Sequence, residues 1–229
     1  MRNTSLSTGE LLKLVVPRFA LGFLALGAML FLPAGPLAYW QAWMFLIGLF
    51  IPMIFIVTYL FRHDPDLLVR RMRMREREPQ QKKVIWLSWI YVLLVYTLPG
   101  LDQRFGWSQM APAVSIAAEI LVLAGYGFVF LVFRENRFAS RIIEVEAGQT
   151  VIRSGPYALV RHPMYLGVTV MYIFAPLALG SYWAALPALL VLPLLVARIR
   201  NEEALLVREL PGYPAYVQET HYRLVPGLW

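Results

Sequence analysis

Arginine, histidine and tyrosine side chains are concentrated between residues 154 and 167, immediately before an apolar stretch. The glycine–proline pair at 155–156 favours a turn, because glycine allows positive φ and proline fixes its own φ. Pro163 disfavours helical backbone at His162, so Arg161 and His162 are predicted to lie on irregular backbone. Such backbone at membrane depth is tolerated only where it is buried in protein or lines a cavity. The pattern therefore predicts a polar pocket at a membrane interface.

A second polar cluster begins where the last apolar stretch ends. Arg198 and Glu202 are four residues apart and would share one face of a helix, whereas Arg200 and Glu203 lie on another face. Ionisable residues at the end of a membrane helix need partners or water, and those inside the membrane are candidates for function. Two interpretations stay open for this cluster alone. It is either a functional site, or a set of arginines that reach the interface and pair with the glutamates.

The two clusters together carry the groups that a site for S-adenosylmethionine requires. A carboxylate such as Glu202 can accept hydrogen bonds from the ribose hydroxyls or from the ammonium group. The ring faces of Tyr157 and Tyr165 can lie near the sulfonium cation. His162 can donate to the carboxylate end of the cofactor, and an arginine can hold an anionic acceptor through two hydrogen bonds.

The stretch Gly155–Gly167 resembles a signature of the isoprenylcysteine carboxyl methyltransferase family and of its phospholipid methyltransferase relatives. The family's second motif is similar to a later run that contains Arg198, Glu202, Glu203, Leu206, Gly212, Tyr213 and Tyr216. The resemblance covers about residues 136–229 and rests on both motifs in this order. It implies an all-α, membrane-embedded methyltransferase that uses S-adenosyl-L-methionine in a cytosol-facing pocket and takes its acceptor from the bilayer.

The resemblance also implies roles for individual residues. The substrate-side arginine of the family falls on Arg198, the candidate catalytic residue, and Glu203 can share the cofactor role. The family's cofactor contacts fall on Gln149, Thr150, Val151, Ile152, Tyr157, His162, Pro163, Met164, Tyr165 and Glu202. Gln149 stands where the eukaryotic prenylcysteine enzymes have a histidine, and Ile142 falls near a glutamine of those enzymes. The N-terminal segments carry no match.

The predicted reaction is methyl transfer to a lipophilic, membrane-partitioned acceptor, most directly the carboxylate of an isoprenylcysteine-like molecule. The amine of a phosphatidylethanolamine is the alternative acceptor. A membrane NADPH-dependent reductase stays open, because sterol reductases have a similar C-terminal motif, and so does a non-catalytic scaffold or transporter. The adjacent carboxylates of Glu202 and Glu203 argue against the reductase, since they would repel a 2′-phosphate. The lack of an internal repeat argues against a transporter.

The Gly-Tyr-Gly sequence at 125–127 lies within an apolar stretch. Phospholipid methyltransferases have a similar Gly-x-Gly near the cofactor. Small residues in membrane helices more often serve close helix packing, and packing is the favoured interpretation.

Six apolar stretches must position these clusters, and a bilayer span takes about 20 residues. The second, third and fourth are long enough, and the first is long enough if residues 14–19 join it across Pro17. The last two are short and contain prolines, so they are predicted to form a tilted hairpin or an incompletely crossing pair. The stretches are Phe19–Leu32, Tyr39–Phe61, Val84–Leu101, Ala113–Phe133, Leu166–Gly180 and Tyr182–Ala197. The expected fold is an all-α, polytopic membrane bundle of five to six transmembrane helices with a cytosolic C-terminal cofactor pocket.

The basic residues are distributed unevenly over the loops. With six crossings, 20 of the 21 Lys and Arg residues face one side, and only Arg104 faces the other. The positive-inside rule identifies the basic side as the cytosol and places both termini there, as in a bacterial inner membrane or its equivalent. The net charge of +7 then indicates membrane lipids as partners and no nucleic acid. The loop at 62–83 is interpreted as an amphipathic segment in solvent or on the lipid surface, with a lipid-docking or substrate-gating role as the alternative.

Composition excludes several other classes. The chain of 229 residues is 59% hydrophobic and only 15% charged, whereas soluble domains carry about 25% charged residues. The lack of cysteine excludes disulfides, thiolate metal sites and a cysteine nucleophile. The three histidines have no metal-binding spacing, and no glycine-rich dinucleotide fingerprint is present. We expect one integrated domain, with transmembrane helices and the basic loop in residues 1–133 and the catalytic region, its helical hairpin and the tail in residues 134–229.

Overall fold

The computed structural model describes residues 8–35, 37–72 and 79–229, and within them the chain is helical without β-strands. The α-helices of this part are α1 (Thr8–Ala34), α2 (Trp40–His63), α3 (Pro65–Met72), α4 (Pro79–Phe105), α5 (Pro112–Glu135), α6 (Pro163–Ala178), α7 (Ala185–Ala188), α8 (Val191–Glu209) and α9 (Tyr213–Glu219). Helices α1, α2, α4 and α5 are long and apolar enough to cross a bilayer. The chain is therefore an integral membrane protein with an all-helical bundle, as predicted.

The first apolar stretch is part of a helix that continues across Pro17 and is long enough to span a bilayer. α1 has 27 residues and runs across Pro17 without interruption. Prolines are tolerated inside membrane helices because neighbouring groups and local adjustments satisfy the freed backbone. α6 has 16 residues and is a shorter apolar helix, so the described residues form four helices of spanning length and one shorter apolar helix.

The sixth apolar stretch, Tyr182–Ala197, which contains Pro187 and Pro193, is divided between two helices. A turn leads into the four-residue α7, and α8 begins only at Val191. Pro187 lies within α7, and Pro193 lies in the first turn of α8. Backbone N–H groups in the first turn make no intrahelical hydrogen bond, so a proline is tolerated there. α8 then continues past the apolar stretch to Glu209, so one rigid helix carries both the apolar residues and the second polar cluster.

Helices α5 and α6 approach each other through two glycines. A Cβ added to Gly125 would lie 2.8 Å from the carbonyl oxygen of Gly167, and a Cβ added to Gly167 would lie 2.8 Å from the carbonyl oxygen of Gly125. A Cβ on Gly127 would meet nothing within 4 Å. The packing interpretation of the Gly-Tyr-Gly sequence is confirmed for its first glycine.

α3, which forms part of the basic loop at 62–83, packs within the protein. The interpretation of this part of the loop as a segment in solvent or on the lipid surface is therefore wrong. Leu67 and Leu68 are fully buried. Arg70 donates to the carbonyl oxygen of Arg137 (2.5 Å), and its guanidinium lies 3.5 Å from the carboxylate of Glu146. The buried leucines and the ion pair fasten α3 to the C-terminal half instead of leaving it in solvent. Residues 73–78 of the loop lie outside the described residues.

The C-terminal tail folds back onto the irregular backbone before α6. The amide of Arg161 donates to the carbonyl of Tyr222, and the amide of His162 donates to the carbonyl of Arg223, both at 2.9 Å. These bonds satisfy backbone groups that Pro163 prevents from joining a preceding helix. The tail therefore holds Arg161 and His162 in place.

A buried carboxylate ties the opposite end of the bundle together. Asp102, near the end of α4, accepts hydrogen bonds from the amide of Ser108 (2.6 Å) and the hydroxyl of Ser181 (2.5 Å). Ser181 follows Gly180, whose φ of 79° ends α6. This cluster fixes the turn between α6 and α7 and hence the relative placement of α6 and α8.

Candidate active site

The two polar clusters meet around one pocket. The irregular segment after α5, the start of α6, the C-terminal half of α8 and α9 surround it. Its lining residues are Asn136, Phe138, Ala139, Ser140, Ile142, Ile143, Glu144, Gln149, Thr150, Val151, Ile152, Tyr157, Arg161, His162, Pro163, Met164, Tyr165, Arg198, Glu202, Leu205, Leu206, Leu210, Tyr213 and Tyr216. Segments far apart in sequence thus contribute to a single cavity.

Tyr165 joins the two clusters directly. Its hydroxyl donates to Oε2 of Glu202 at 2.6 Å and accepts from Nε of Arg198 at 2.9 Å. Nη2 of Arg198 also donates to the carbonyl oxygen of Arg141 at 2.6 Å. The shared partner confirms that Arg198 and Glu202 lie on one face of α8. A cation and a carboxylate are therefore presented side by side at the pocket wall, in a fixed geometry.

Glu203 is saturated by positively charged partners behind the wall. Its Oε1 accepts from Nε of Arg161 at 2.6 Å, its Oε2 accepts from Nε of Arg223 at 2.5 Å, and Nε2 of His162 lies 3.4 Å from Oε1. Burial acts to raise the pKa of Glu203, but the interactions with His162, Arg223 and Arg161 outweigh it and lower the pKa to about 2. Glu203 is not among the residues that line the pocket. Its contacts favour the positioning of Arg161 and His162 over direct contact with a cofactor.

Three tyrosines form the opposite part of the wall. The hydroxyl of Tyr157 accepts from Nδ2 of Asn136 at 2.7 Å, and the hydroxyl of Tyr216 donates to the carbonyl of Tyr157 at 2.7 Å. Burial raises the pKa of Tyr157 and of Tyr213 well above the ordinary value, and it raises that of Tyr216 to about 12. All three therefore keep their proton at neutral pH. The buried hydroxyl of Tyr213 has no hydrogen-bond partner among the described residues.

The strip at 149–152 is shaped by a tight turn. Gly148 has φ of 77°, a conformation that glycine adopts without steric cost. Oε1 of Gln149 accepts from the amide of Glu146 (2.9 Å), and the amide of Gln149 donates back to the carbonyl of Glu146 (3.0 Å). The side chain of Gln149 thus closes the turn that places the next three residues along the pocket.

The structure brings almost all of the predicted site residues to this pocket. Those that line it are Gln149, Thr150, Val151, Ile152, Tyr157, His162, Pro163, Met164, Tyr165, Arg198 and Glu202. Glu203 alone among the predicted residues stands behind the wall. Their individual roles in binding and catalysis stay predictions.

Sequence reasoning gave no site role to several lining residues, although Leu206 and Tyr213 belong to the second motif. Leu206 is one turn beyond Glu202 on the same face of α8, and that spacing could have indicated it. Tyr213 follows the Pro-Gly turn that starts α9, where Gly212 has φ of 84°. Asn136 ends α5 and carried no signal of its own, because its contact with Tyr157 exists only in the folded chain.

Comparison with known proteins finds a family model that matches part of the chain. The family model for isoprenylcysteine carboxyl methyltransferase matches residues 116–208. This part of the chain is therefore similar to that family. No curated protein matches the sequence.

The match supports a methyltransferase-type function on a membrane substrate. It favours this function over the reductase and over the non-catalytic scaffold or transporter. The matched residues begin within α5 and end within α8, so they include Gly125 but leave α9 and the tail outside. Tyr213 and Tyr216 therefore complete the pocket from beyond the matched part.

Proposed function

We propose that the chain transfers the methyl group of S-adenosyl-L-methionine to a lipophilic acceptor, most directly the carboxylate of an isoprenylcysteine-like molecule. The observation that carries this proposal is the hydroxyl of Tyr165, held between Arg198 and Glu202 at the pocket wall. A carboxylate suited to a cationic cofactor thus stands beside an arginine suited to an anionic acceptor.

The residues of the pocket fit the chemistry of this cofactor. Glu202 would accept from its ribose hydroxyls or ammonium group, and His162 would donate to its carboxylate. The rings of Tyr157 and Tyr165 would lie near the sulfonium cation. The partnerless hydroxyl of Tyr213 supports a bound polar group, because buried hydroxyls in native proteins are normally hydrogen-bonded.

The protein's contribution to the reaction is alignment and desolvation. When bound, the cofactor would supply an electrophilic methyl group to the acceptor oxygen and would leave as a neutral thioether. Arg198 would orient the acceptor carboxylate by two hydrogen bonds, and apolar lining residues such as Leu205 and Leu206 would exclude water. No general base is needed, because a carboxylate carries no proton at neutral pH.

A phosphatidylethanolamine amine is the second candidate acceptor, and the family's resemblance to phospholipid methyltransferases motivates it. An ammonium must lose a proton before attack, so it needs a base such as a carboxylate. Glu202 lines the pocket, but its Oε2 accepts from Tyr165, and the adjacent guanidinium of Arg198 repels a cationic headgroup. The charge at the wall therefore favours the anionic acceptor.

The proposal places the pocket and both termini on the cytosolic side of a bacterial inner membrane or its equivalent. The pocket lies at the end of α5 that carries Arg134, next to the basic residues of the tail. The positive-inside rule assigns that side to the cytosol. Membrane lipids and the acceptor would be the partners of the chain.

The test of the cofactor site is the Glu202→Gln variant. Its affinity for S-adenosylmethionine, measured by titration calorimetry in detergent, should fall by about tenfold or more, because a hydrogen bond to a charged group contributes about 1.5–3 kcal/mol. Glu209→Gln, on the exposed end of the same helix, is the control and should bind like the wild type. Equal titration curves for wild type and Glu202→Gln would reject the assigned site.

The test of the acceptor side is the Arg198→Ala variant. Cofactor affinity should stay within about threefold of the wild type, and turnover should fall by about a hundredfold or more, the effect expected when a group that orients a reactant is lost. Transfer of labelled methyl to prenylcysteine analogues and to lipid extracts would measure this turnover and identify the acceptor class. Parallel loss of cofactor binding and turnover would instead place Arg198 in the cofactor site.

A further inference from the structure

Arg71 of α3 reaches from the N-terminal half of the chain to the wall of the pocket. Its Nη1 donates to the carbonyl oxygen of Ser140 at 3.2 Å and lies 3.7 Å from the sulfur of Met164. Ser140 and Met164 both line the pocket. The guanidinium also lies over the ring of Phe133, at 4.9 Å from its centroid. Arg71 is therefore a direct neighbour of the methyl-transfer pocket, although it precedes the residues that match the family.

Three guanidinium groups converge at this place. Arg71 donates to the carbonyl oxygen of Ser140, and Arg198 donates to that of the next residue, Arg141. Ser140 and Arg141 follow shortly after the end of α5, a helix long and apolar enough to span a bilayer, so the charges gather near the membrane interface. Burial lowers the pKa of Arg71 to about 10, and the charges of Arg141 and Arg198 act in the same direction.

Such a concentration of like charge opposes itself in the free protein. Glu202 approaches this charge through Tyr165, but that carboxylate faces the proposed cofactor site. Positive charge at the pocket wall attracts anions, so the arrangement is suited to an anionic ligand that arrives from the bilayer.

We infer that Arg71 is a specificity-determining residue that, together with Arg141 and Arg198, selects acceptors carrying a carboxylate or phosphate next to the methyl-accepting atom. The inference rests on the proposed function and adds a residue from α3 to it. Arg71 acts as a positioning residue: it holds the segment at Ser140 and supplies charge to the subsite. It also explains why α3 is packed into the protein, since this packing brings the charge to the pocket.

The experiment compares Arg71→Gln and Arg71→Lys with the wild type, using an S-prenylated cysteine in neutral detergent as the acceptor. Arg71→Gln should raise KM for this acceptor by about tenfold, because the subsite loses one positive charge that attracts the anionic acceptor. Its kcat and its affinity for S-adenosylmethionine should stay within about twofold of the wild type. Arg71→Lys keeps the charge and should recover most of the loss. Arg200→Gln removes an exposed charge two residues beyond Arg198 and should leave KM unchanged.

A second arm identifies the source of the oxyanion. Thermal unfolding of the wild type is measured with the prenylcysteine acid, with its methyl ester and with phosphatidic acid vesicles. Stabilisation by the acid but not by the ester indicates a carboxylate ligand, whereas stabilisation only by phosphatidic acid indicates a lipid phosphate. Either selective response should be lost in Arg71→Gln and kept in Arg71→Lys.

The outcomes separate this inference from the proposed function. Equal KM values in the wild type and Arg71→Gln would overturn the inference while leaving methyl transfer intact. Parallel losses of kcat, cofactor affinity and melting temperature in Arg71→Gln would overturn it too, since they show a purely structural role. A wild type that responds selectively to the acid but transfers no methyl group would keep the anion subsite and reject the proposed reaction.

Discussion

The adjacent residues Glu202 and Glu203 have different environments because successive positions on a helix point in different directions. Glu202 faces the pocket and accepts from Tyr165, whereas Glu203 turns toward Arg161 and Arg223. The second carboxylate is nearly buried and is satisfied by charged donors on both oxygens. The pair therefore divides into one group available to a ligand and one group that fixes the backbone before α6.

The separate role of Glu203 is testable through stability. Glu203→Gln should lower the free energy of unfolding by about 3–5 kcal/mol, because breaking a buried ion pair leaves Arg161 without its charged partner. The pKa of the native carboxyl is depressed from 4.5 to about 2, so its contribution is present above pH 4.5 and is lost as the pH falls toward 2. Thermal unfolding in detergent from pH 7 to pH 2 measures both effects.

The matched control is Glu209→Gln, whose carboxylate is exposed. It should unfold like the wild type at every pH. If Glu203→Gln were as stable as this control at pH 7, the ion network would have no structural role.

At the scale of elements, the glycine contact between α5 and α6 decides where Tyr165 stands. α6 begins at Pro163, so Tyr165 lies in its first turn and Gly167 follows half a turn later. The close approach of the backbones at Gly125 and Gly167 leaves no room for a side chain. A change in the distance between these helices would therefore move Tyr165 relative to Arg198 on α8.

This packing predicts a difference between two similar substitutions. Gly167→Ala should destabilise the protein by about 1–3 kcal/mol, because the added Cβ meets the backbone of α5 and overpacks the contact. Methyl transfer should fall with it, since Tyr165 shifts. Gly127→Ala adds a methyl group where nothing lies within 4 Å, so it should be neutral or slightly stabilising. Melting temperatures and activity in detergent compare the two, and equal behaviour would refute the packing role.

At the scale of the whole molecule, two groups of polar residues lie at opposite ends of the bundle. The pocket lies at the basic end of the bundle, which we propose to face the cytosol, and the Asp102 cluster ties the other end. Exposed tryptophans such as Trp86, Trp107 and Trp183 face away from the core, as residues in contact with a membrane interface do.

The orientation can be tested without removing any native thiol, because the chain has no cysteine. Leu228→Cys, in the exposed tail, should resist a membrane-impermeant maleimide in intact cells and react after permeabilisation. Gln109→Cys, in the exposed loop between α4 and α5, should react in intact cells. The opposite labelling pattern would invert the proposed topology.

The sequence by itself determined what depends on short stretches of chain. Apolar runs of sufficient length form helices that cross a bilayer, because backbone groups in lipid must be satisfied within the segment. Pro163 disfavours helical backbone at His162 whatever surrounds the two residues. The spacing of Arg198 and Glu202 places both on one helix face, whatever the helix packs against.

Only the tertiary structure decided which groups become partners. Arg223 reaches Glu203, the backbone at Tyr222 pairs with Arg161, and Arg71 reaches Ser140, although a long stretch of chain separates Arg71 from Ser140. The hydroxyl of Ser181 likewise donates to Asp102 of α4 and accepts from the amide of Ala184 just before α7. A local pattern specifies the direction of a side chain within its own element, but the identity of its partner is fixed by how all the elements pack.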